Sequence, residues 1–302
     1  MVKRIFTILA FILILPTVSL ATVYNIPPKG NDVIGEVFVI EAHSGDTIMK
    51  LAEQYKLSLH ELAEANPKIN PKKLRAGEHV VIPSAYVLPI FRNGIVINLA
   101  ELRLYYFDNE HHKVYTYPVG LGRREWRTPT ASAKVTRKQK DPTWYVPESI
   151  ADFVFEQTGR VLPDSIPPGP ENPLGQHAIY MSLHGYLIHG TNQPWSVGQL
   201  ISSGCIRLYN EDVAELFNLV KIGDPVHIIH YPYKAGWHNN QLVLEAHVPM
   251  TIDDPISKLN VLSIDKAISM STKGQHANVN WNYIDKIVHH PTGMPIIVGT
   301  KS

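Results

Sequence analysis

From Phe91 onward the chain is written in short runs of alternating character, each broken by turn-forming residues. The run GIVINLAELRLYYF, Gly94 to Phe107, puts Ile95, Ile97 and Leu99 on one side and Val96 and Asn98 on the other. It turns at Ala100-Glu101 and resumes from Leu102 to Phe107. A period of two predicts strands. KVYTYPVGLG adds a third strand ending at Gly120 and Gly122, and Ala133 to Lys138 a fourth, followed by a Pro- and Trp-rich loop. Ala178 to Leu183 and Tyr186 to His189 read as two strands joined by a tight turn at His184-Gly185. IPPGPENPLG is too rich in Pro and Gly for regular structure and reads as a rigid surface loop. One helix interrupts this pattern. It has Asn210 as N-cap, an apolar face of Val213, Leu216, Phe217 and Val220, and Gly223 at its end. Pro225 to Ile229 then returns to strand. The expected class is mainly β, a sandwich or barrel, and the 23 prolines agree with it.

Residues 37–83 carry a different pattern, strand–helix–helix–strand. Val37 to Ala42 is the first strand and Ser44-Gly45-Asp46 a turn, with Asp46 as N-cap of a helix whose inner face is Ile48, Leu51, Ala52 and Tyr55. Ser58 and Glu61 have capping-box spacing for a second helix, which Asn66-Pro67 ends. Val80 to Ile82 is the last strand, closed by Pro83. The pieces HSGDTIMKLAEQY, LHELAEANP and LRAGEHVVIP occur in the order of the LysM module, which this segment resembles. That resemblance implies a small βααβ unit that binds glycan, hence peptidoglycan. Residues 232–302 read as a small α/β appendage: a strand in QLVLEAHVP, short helices in PISKLNVLSIDKAISMS and NVNWNYIDKIVHH, and a last strand in GMPIIVG.

The first residues set the compartment. Lys3 and Arg4 precede an apolar run from Ile5 to Leu15, then Pro16 and the small-residue exit Ser19-Leu20-Ala21. This is the order of a secretory signal peptide, residues 1–21, and the run is short against the roughly 20 residues of a spanning helix. Export to the periplasm is the expectation. With a formal net charge of +1 and no long basic run, the chain is a poor nucleic-acid binder.

Export makes the single cysteine, Cys205, informative. It has no partner for an internal bridge, so it is expected to be buried or used. A thiolate nucleophile needs an activating imidazole near it in space. Of the 15 histidines, His189 is best placed, at a strand end and separated from Cys205 by a Gly-, Asn- and Pro-containing loop. His184 is the competitor, but its turn position favours solvent. Gly204 frees the backbone so that main-chain N–H groups, that of Cys205 included, can meet a developing oxyanion, and Ser202 and Ser203 are candidates to support that loop. Arg207 is either a fork for a substrate carboxylate or the partner of a loop acid. His184, Tyr186 and Asn192 complete the candidate substrate-contacting set. A zinc site would need His184, His189 and Cys205, with no CxxC, HExxH or local carboxylate to support it. No metal and no cofactor are expected.

The blocks IVINLAELRLYYF, TYPVGLGRREWRTPTASAKV, DPTWYVPESI, PPGPENPLG, YLIHGTNQPWSVG and SSGCIRLYNEDVAELF occur in the order of the YkuD-type L,D-transpeptidases. The resemblance covers residues 91–231 and is closest to the periplasmic ErfK/YbiS-like group, which carries a LysM-like module ahead of this domain. It implies a β-sandwich catalytic domain with Cys205 as nucleophile and His189 as catalytic histidine. The implied reaction attacks the carbonyl of the third residue of a peptidoglycan tetrapeptide stem, expels D-Ala, and passes the thioester-bound acyl group to an amine. That amine belongs to another stem's diaminopimelate or to a lysine of an outer-membrane lipoprotein. Hydrolysis of the same thioester, by an L,D-carboxypeptidase or amidase, and a non-catalytic peptidoglycan-binding protein are the alternatives. Ser203 stands where the family often has histidine, which again points to His189 as the base.

Overall fold

The computed structural model describes residues 23–71, 73–248, 263–273 and 276–302. The leader 1–21 and the first part of the helix expected from Pro255 lie outside the described residues.

After a short strand β1 (Val23–Asn25), the N-terminal unit is β2 (Val33–Glu41), α1 (Ile48–Gln54), α2 (Leu59–Ala65) and β3 (His79–Val87). The order βααβ is the expected one. β2 and β3 pair antiparallel from Val33 opposite Val87 to Glu41 opposite His79. The last strand therefore runs through Pro83 instead of ending there. Pro83 faces Val37 in a two-stranded ribbon, where a missing N–H on the open side removes no ladder bond. Ser58 and Glu61 form the expected capping box: Ser58 Oγ accepts from the Glu61 N–H at 3.0 Å, and Glu61 Oε2 accepts from the Ser58 N–H at 2.7 Å. The N-cap of α1 differs from expectation. Thr47 caps it, with Oγ1 accepting from the Lys50 N–H, while Asp46 accepts from the His43 N–H and tightens the turn before it.

The central region holds β4 (Gly94–Asn98), β5 (Arg103–Asp108), β6 (Lys113–Pro118), β7 (Leu121–Gly122), β8 (Ala131–Lys140), β9 (Trp144–Tyr145), α3 (Glu148–Thr158), β10 (Ser165–Ile166), β11 (His177–Met181), β12 (Leu187–His189), β13 (Leu200–Ser202), β14 (Ile206–Arg207), α4 (Asn210–Leu219) and β15 (Pro225–Ile229). Nine strands make one mixed, curled sheet in the order β1-β6-β5-β4-β15-β8-β11-β12-β14. β4 is buried on both faces. Ile95 and Ile97 join a core with Ile188, Ile206, Val213 and Leu216, whereas Val96 joins Tyr105 and Phe107 against Leu51, Leu57 and Leu62 of the N-terminal unit. Alternation here separates two cores instead of core from water.

Three sequence expectations need correction. The β11–β12 pair is not a tight hairpin: Tyr180 pairs with Leu187, so a longer connection spans the turn. α4 ends at Leu219 with Val220 extended as its C-cap, and Gly223 belongs to the turn that follows. The Pro- and Trp-rich loop contains the short strand β9, paired with β10, and helix α3 follows it where no element was expected. The helix starts after Pro147 and stops at Gly159 in the left-handed region; Ile150, Phe153 and Val154 share a face, but no residue of it is fully buried.

The C-terminal unit is β16 (Tyr233–His238), β17 (Gln241–Ala246), α5 (Ile264–Ser271), β18 (Ala277–Val279), α6 (Trp281–His289) and β19 (Ile296–Lys301), with sheet order β16-β17-β19-β18. It has its own core around Trp237, Leu244, Ile284 and Val298.

Buried charges tie these units together. Arg103 of β5, 1% exposed, meets Glu61 of α2 in a fork, Nε to Oε1 at 2.6 Å and Nη2 to Oε2 at 2.9 Å. It also donates to Thr116 Oγ1 and the Lys56 carbonyl. A second network joins all three units. His247 lies between Glu64 of α2 and Glu245 of β17, at 2.9 and 2.8 Å. Lys234 lies between Glu245 and Glu101, at 2.9 Å from each. Glu101, Glu245 and His247 gather closely enough to suggest a metal triad, but the Lys234 ammonium already supplies the cation between the two carboxylates.

Two outcomes follow. Glu61→Gln leaves the Arg103 charge buried without its counter-ion, and urea unfolding should show a loss of about 3–5 kcal/mol. Adding Arg103→Met should recover part of that loss, because the two side chains act as a pair. Burial opposes charge on His247, but its hydrogen bonds to Glu245 and Glu64 and their charges outweigh it, raising its pKa to about 10. The stabilisation is full below the ordinary histidine value of about 6.5 and is lost as pH rises toward 10. Thermal melts should fall across that window in the native chain, and less in His247→Gln.

Candidate active site

β12 and β14 run parallel, with Ile188 beside Ile206 and His189 beside Arg207. Residues two apart on a strand share a face, and so do residues paired across it. Ile188 and Ile206 point into the core, both 0% exposed. His189 and Arg207 therefore share the opposite face, and Cys205 directly precedes the strand that carries Arg207.

The His189 ring is buried, and its Nδ1 is 2.6 Å from the Gly190 carbonyl oxygen. A carbonyl can only accept, so the proton of the neutral ring resides on Nδ1 and the free lone pair on Nε2. Burial, reinforced by the Arg207 charge, pushes the His189 pKa down to about 3, against the opposing pull of the Gly190 and Leu174 carbonyls. Cys205 is half-buried. Burial pushes its thiol up, and a backbone hydrogen bond from Leu187 and the Arg207 charge only partly oppose this. The resting pair is thus a neutral thiol and a neutral imidazole.

The loop before Cys205 is held by hydroxyls. Ser202 Oγ accepts from the Gly204 N–H at 3.1 Å and donates to the Cys205 carbonyl at 2.7 Å. The Gly204 N–H is therefore occupied, and Gly204 contributes shape: its φ is +107°, and a Cβ there would stand 2.9 Å from the Tyr186 ring. Tyr186 is thereby placed against the loop. Ser203 Oγ accepts from Arg123 Nη2 at 3.4 Å. His184 is exposed, while the carbonyl of its neighbour Gly185 receives a weak contact from Cys205 Sγ at 3.7 Å. Asn192 Nδ2 donates to the Glu171 carbonyl, tying its loop to the Pro-rich loop. Among the described residues no acid pairs with Arg207, whose Nε is buried without a hydrogen-bond partner.

Three further residues were missed in the sequence. Asn210 does not cap α4; Tyr209 occupies that position. Its amide instead accepts from the Thr191 N–H and donates to the Thr191 carbonyl, both at 2.9 Å. This fixes the chain just after His189 to the chain just after Cys205. Thr128 Oγ1 donates to the Gly204 carbonyl at 2.7 Å and accepts from the Gly122 N–H. Arg123 anchors its own loop through a backbone N–H to the Ser202 carbonyl at 3.0 Å. Only the adjacency of TPT to the glycines in VGLGRREWRTPT hinted at such roles.

The N-terminal unit braces this assembly. A Cβ on Gly198, in the loop between His189 and Cys205, would fall 2.7 Å from Ser58 Cα, so the two backbones are in direct contact. Lys56 reaches Glu211 and Asp212 at the start of α4, at 2.8 and 2.9 Å. The unit also carries a cleft of about 450 Å³ between β2 and α1, walled by Glu41, His43, Asp46 and Tyr55.

The L,D-transpeptidase catalytic domain family matches residues 92–228, and the LysM domain family residues 43–83. Among curated relatives, the "Probable L,D-transpeptidase YcfS" of Escherichia coli (strain K12) is 35% identical over 92% of this chain and 88% of its own. The "Probable L,D-transpeptidase ErfK/SrfK" of the same strain is 33% identical over 94% and 93%. The "Probable L,D-transpeptidase YbiS", again of that strain, is 33% identical over 91% and 92%. The likeness runs along nearly the whole length of these relatives, and the chain belongs to the L,D-transpeptidase family.

Proposed function

We propose that the protein is an exported L,D-transpeptidase that acts on peptidoglycan tetrapeptide stems through a thioester on Cys205, with His189 as base. The observation that carries this reading is the fixed tautomer of His189: with Nδ1–H on the Gly190 carbonyl, Nε2 keeps its lone pair as a proton acceptor, and the same Arg207 charge bears on this ring and on Cys205.

The chemistry balances on these two residues. Nε2 takes the thiol proton as Sγ attacks the carbonyl of the third stem residue, and the tetrahedral oxyanion is met by main-chain donors that include the Cys205 N–H. Collapse breaks the bond to D-Ala, whose nitrogen receives the proton from Nε2. An acceptor amine then attacks the thioester, loses its proton to Nε2, and the expelled thiolate recovers that proton. The acceptor is a lysine of an outer-membrane lipoprotein or the diaminopimelate side chain of another stem. Because the resting thiol and imidazole are both neutral, the thiolate forms in the encounter with substrate and is not stored beforehand. The LysM unit retains the enzyme on the glycan, its cleft being polar-walled with one tyrosine ring.

Cys205→Ala and His189→Ala should each abolish D-Ala release from tetrapeptide muropeptides, and wild-type turnover in either would sink the assignment. Mass spectrometry then separates the fates of the acyl group. Products joined to a lipoprotein peptide or a second stem are expected; shortened stems alone would mean hydrolysis. Alkylation of Cys205 by iodoacetamide should rise along one titration with a midpoint above the roughly 8.5 of a free thiol, because burial lifts this thiol. A reactive plateau extending below neutrality would contradict a neutral resting pair.

A further inference from the structure

Two guanidinium groups border the Ser202–Arg207 segment without a counter-ion among the described residues. Arg207 lies two residues beyond the cysteine, and its charge bears on both Cys205 and His189. Arg123 approaches from the loop after β7. Its guanidinium lies 4.5 Å from the Trp126 ring and 4.4 Å from the Phe153 ring of α3, with Nη2 on Ser203 Oγ and its backbone N–H on the Ser202 carbonyl. A side chain packed against two rings has already lost most of its rotational freedom. The Nε atoms of Arg123 and Arg207 are both buried without a hydrogen-bond partner, and among the described residues no carboxylate pairs with either group. Burial first, and then the like charge of Arg123 against the help of Cys205, lower the Arg207 pKa. Two half-buried like charges with unsatisfied N–H groups describe a site built for an anion.

We propose that Arg123 and Arg207 together form a cradle for the carboxylate of the leaving residue of the donor stem, so that the site selects donors ending in a free acid. The choice of this carboxylate follows from position. It belongs to the residue whose nitrogen departs from the attacked carbonyl, so it lies beside the reacting sulfur, as Arg207 does. Losing a charged hydrogen bond on amidation weakens donor use roughly ten- to a hundredfold, which makes the fork a specificity device. The inference rests on the thioester reading above and adds a residue, Arg123, and a substrate feature to it.

The test compares kcat/KM for a synthetic tetrapeptide stem ending in free D-Ala with the same stem ending in D-alaninamide, and with one amidated only on the diaminopimelate side-chain carboxylate. The native enzyme should prefer the free acid over the C-terminal amide by roughly ten- to a hundredfold, with little penalty for side-chain amidation. In Arg123→Gln the ratio of acid to C-terminal amide should fall toward one. Arg123→Lys, which keeps the charge and loses the fork, should fall between. Iodoacetamide labelling of Cys205 at the native rate verifies that the variants are folded. Equal use of acid and C-terminal amide by the native enzyme overturns the proposal. So does an Arg123→Gln variant that folds and keeps the native ratio, and so does a penalty that follows side-chain amidation instead. Turnover surviving in Cys205→Ala would instead overturn the thioester reading, a separate result.

Discussion

A guanidinium in the centre of a protein is stable only where its charge and its planar fork of donors are both met. Arg103 is such a group, and Glu61 meets it. Glu61 is itself fixed by the capping box of α2, whose cap residue, Ser58, touches the backbone of the loop between His189 and Cys205 at Gly198. One ion pair thus sets the position of the LysM unit on the central sheet, and the LysM unit in turn supports the loop between His189 and Cys205. Lys56 extends the same support to the start of α4. The unit is a structural wall of the active-site region as well as a candidate glycan binder, because its helices complete the core on the second face of the sheet.

The local assembly of the site uses small side chains bonded to main chain. Ser202 and Thr128 hold the two carbonyls on either side of the Cys205 Cα, and Asn210 clamps Thr191. Such bonds use no long charged side chain, which leaves Arg123 and Arg207 for the role proposed above. Serine at 203 fits the same arrangement: its hydroxyl receives Arg123, and on the proposed chemistry, with His189 as base, the position requires no second imidazole.

Much of this was legible in the sequence because period and spacing are local. The βααβ unit, the capping box at Ser58, the strands from Gly94 to Asp108 and from Pro225 to Ile229, and the placement of His189 on a strand end all follow from residues within a few positions of each other. What escaped was long-range. Arg103 in an apolar strand carries no local sign that its partner is 42 residues earlier. Asn210 had the residue type of a helix cap, but its amide found a better use on Thr191 across the site. Helix α3 hid because it lies on the surface with no buried stripe, and the strand through Pro83 because only the partner strand shows which side of Pro83 is open.

The electrostatics of the resting site bear on how the exported enzyme proposed above would survive outside the cytoplasm. A preformed thiolate would be the species most open to oxidation and disulfide exchange. Here burial keeps the thiol protonated, and the Arg207 charge that would favour a thiolate also opposes an imidazolium at His189. The same cation therefore works in two directions until an anion reaches it. A carboxylate on Arg207 would screen that charge at both groups, easing imidazolium formation at His189 while giving up its support of the thiolate at Cys205. On the proposed chemistry the two changes oppose each other, so the donor's acid terminus serves to position the attacked carbonyl, and the thiolate still forms only as the proton passes to His189.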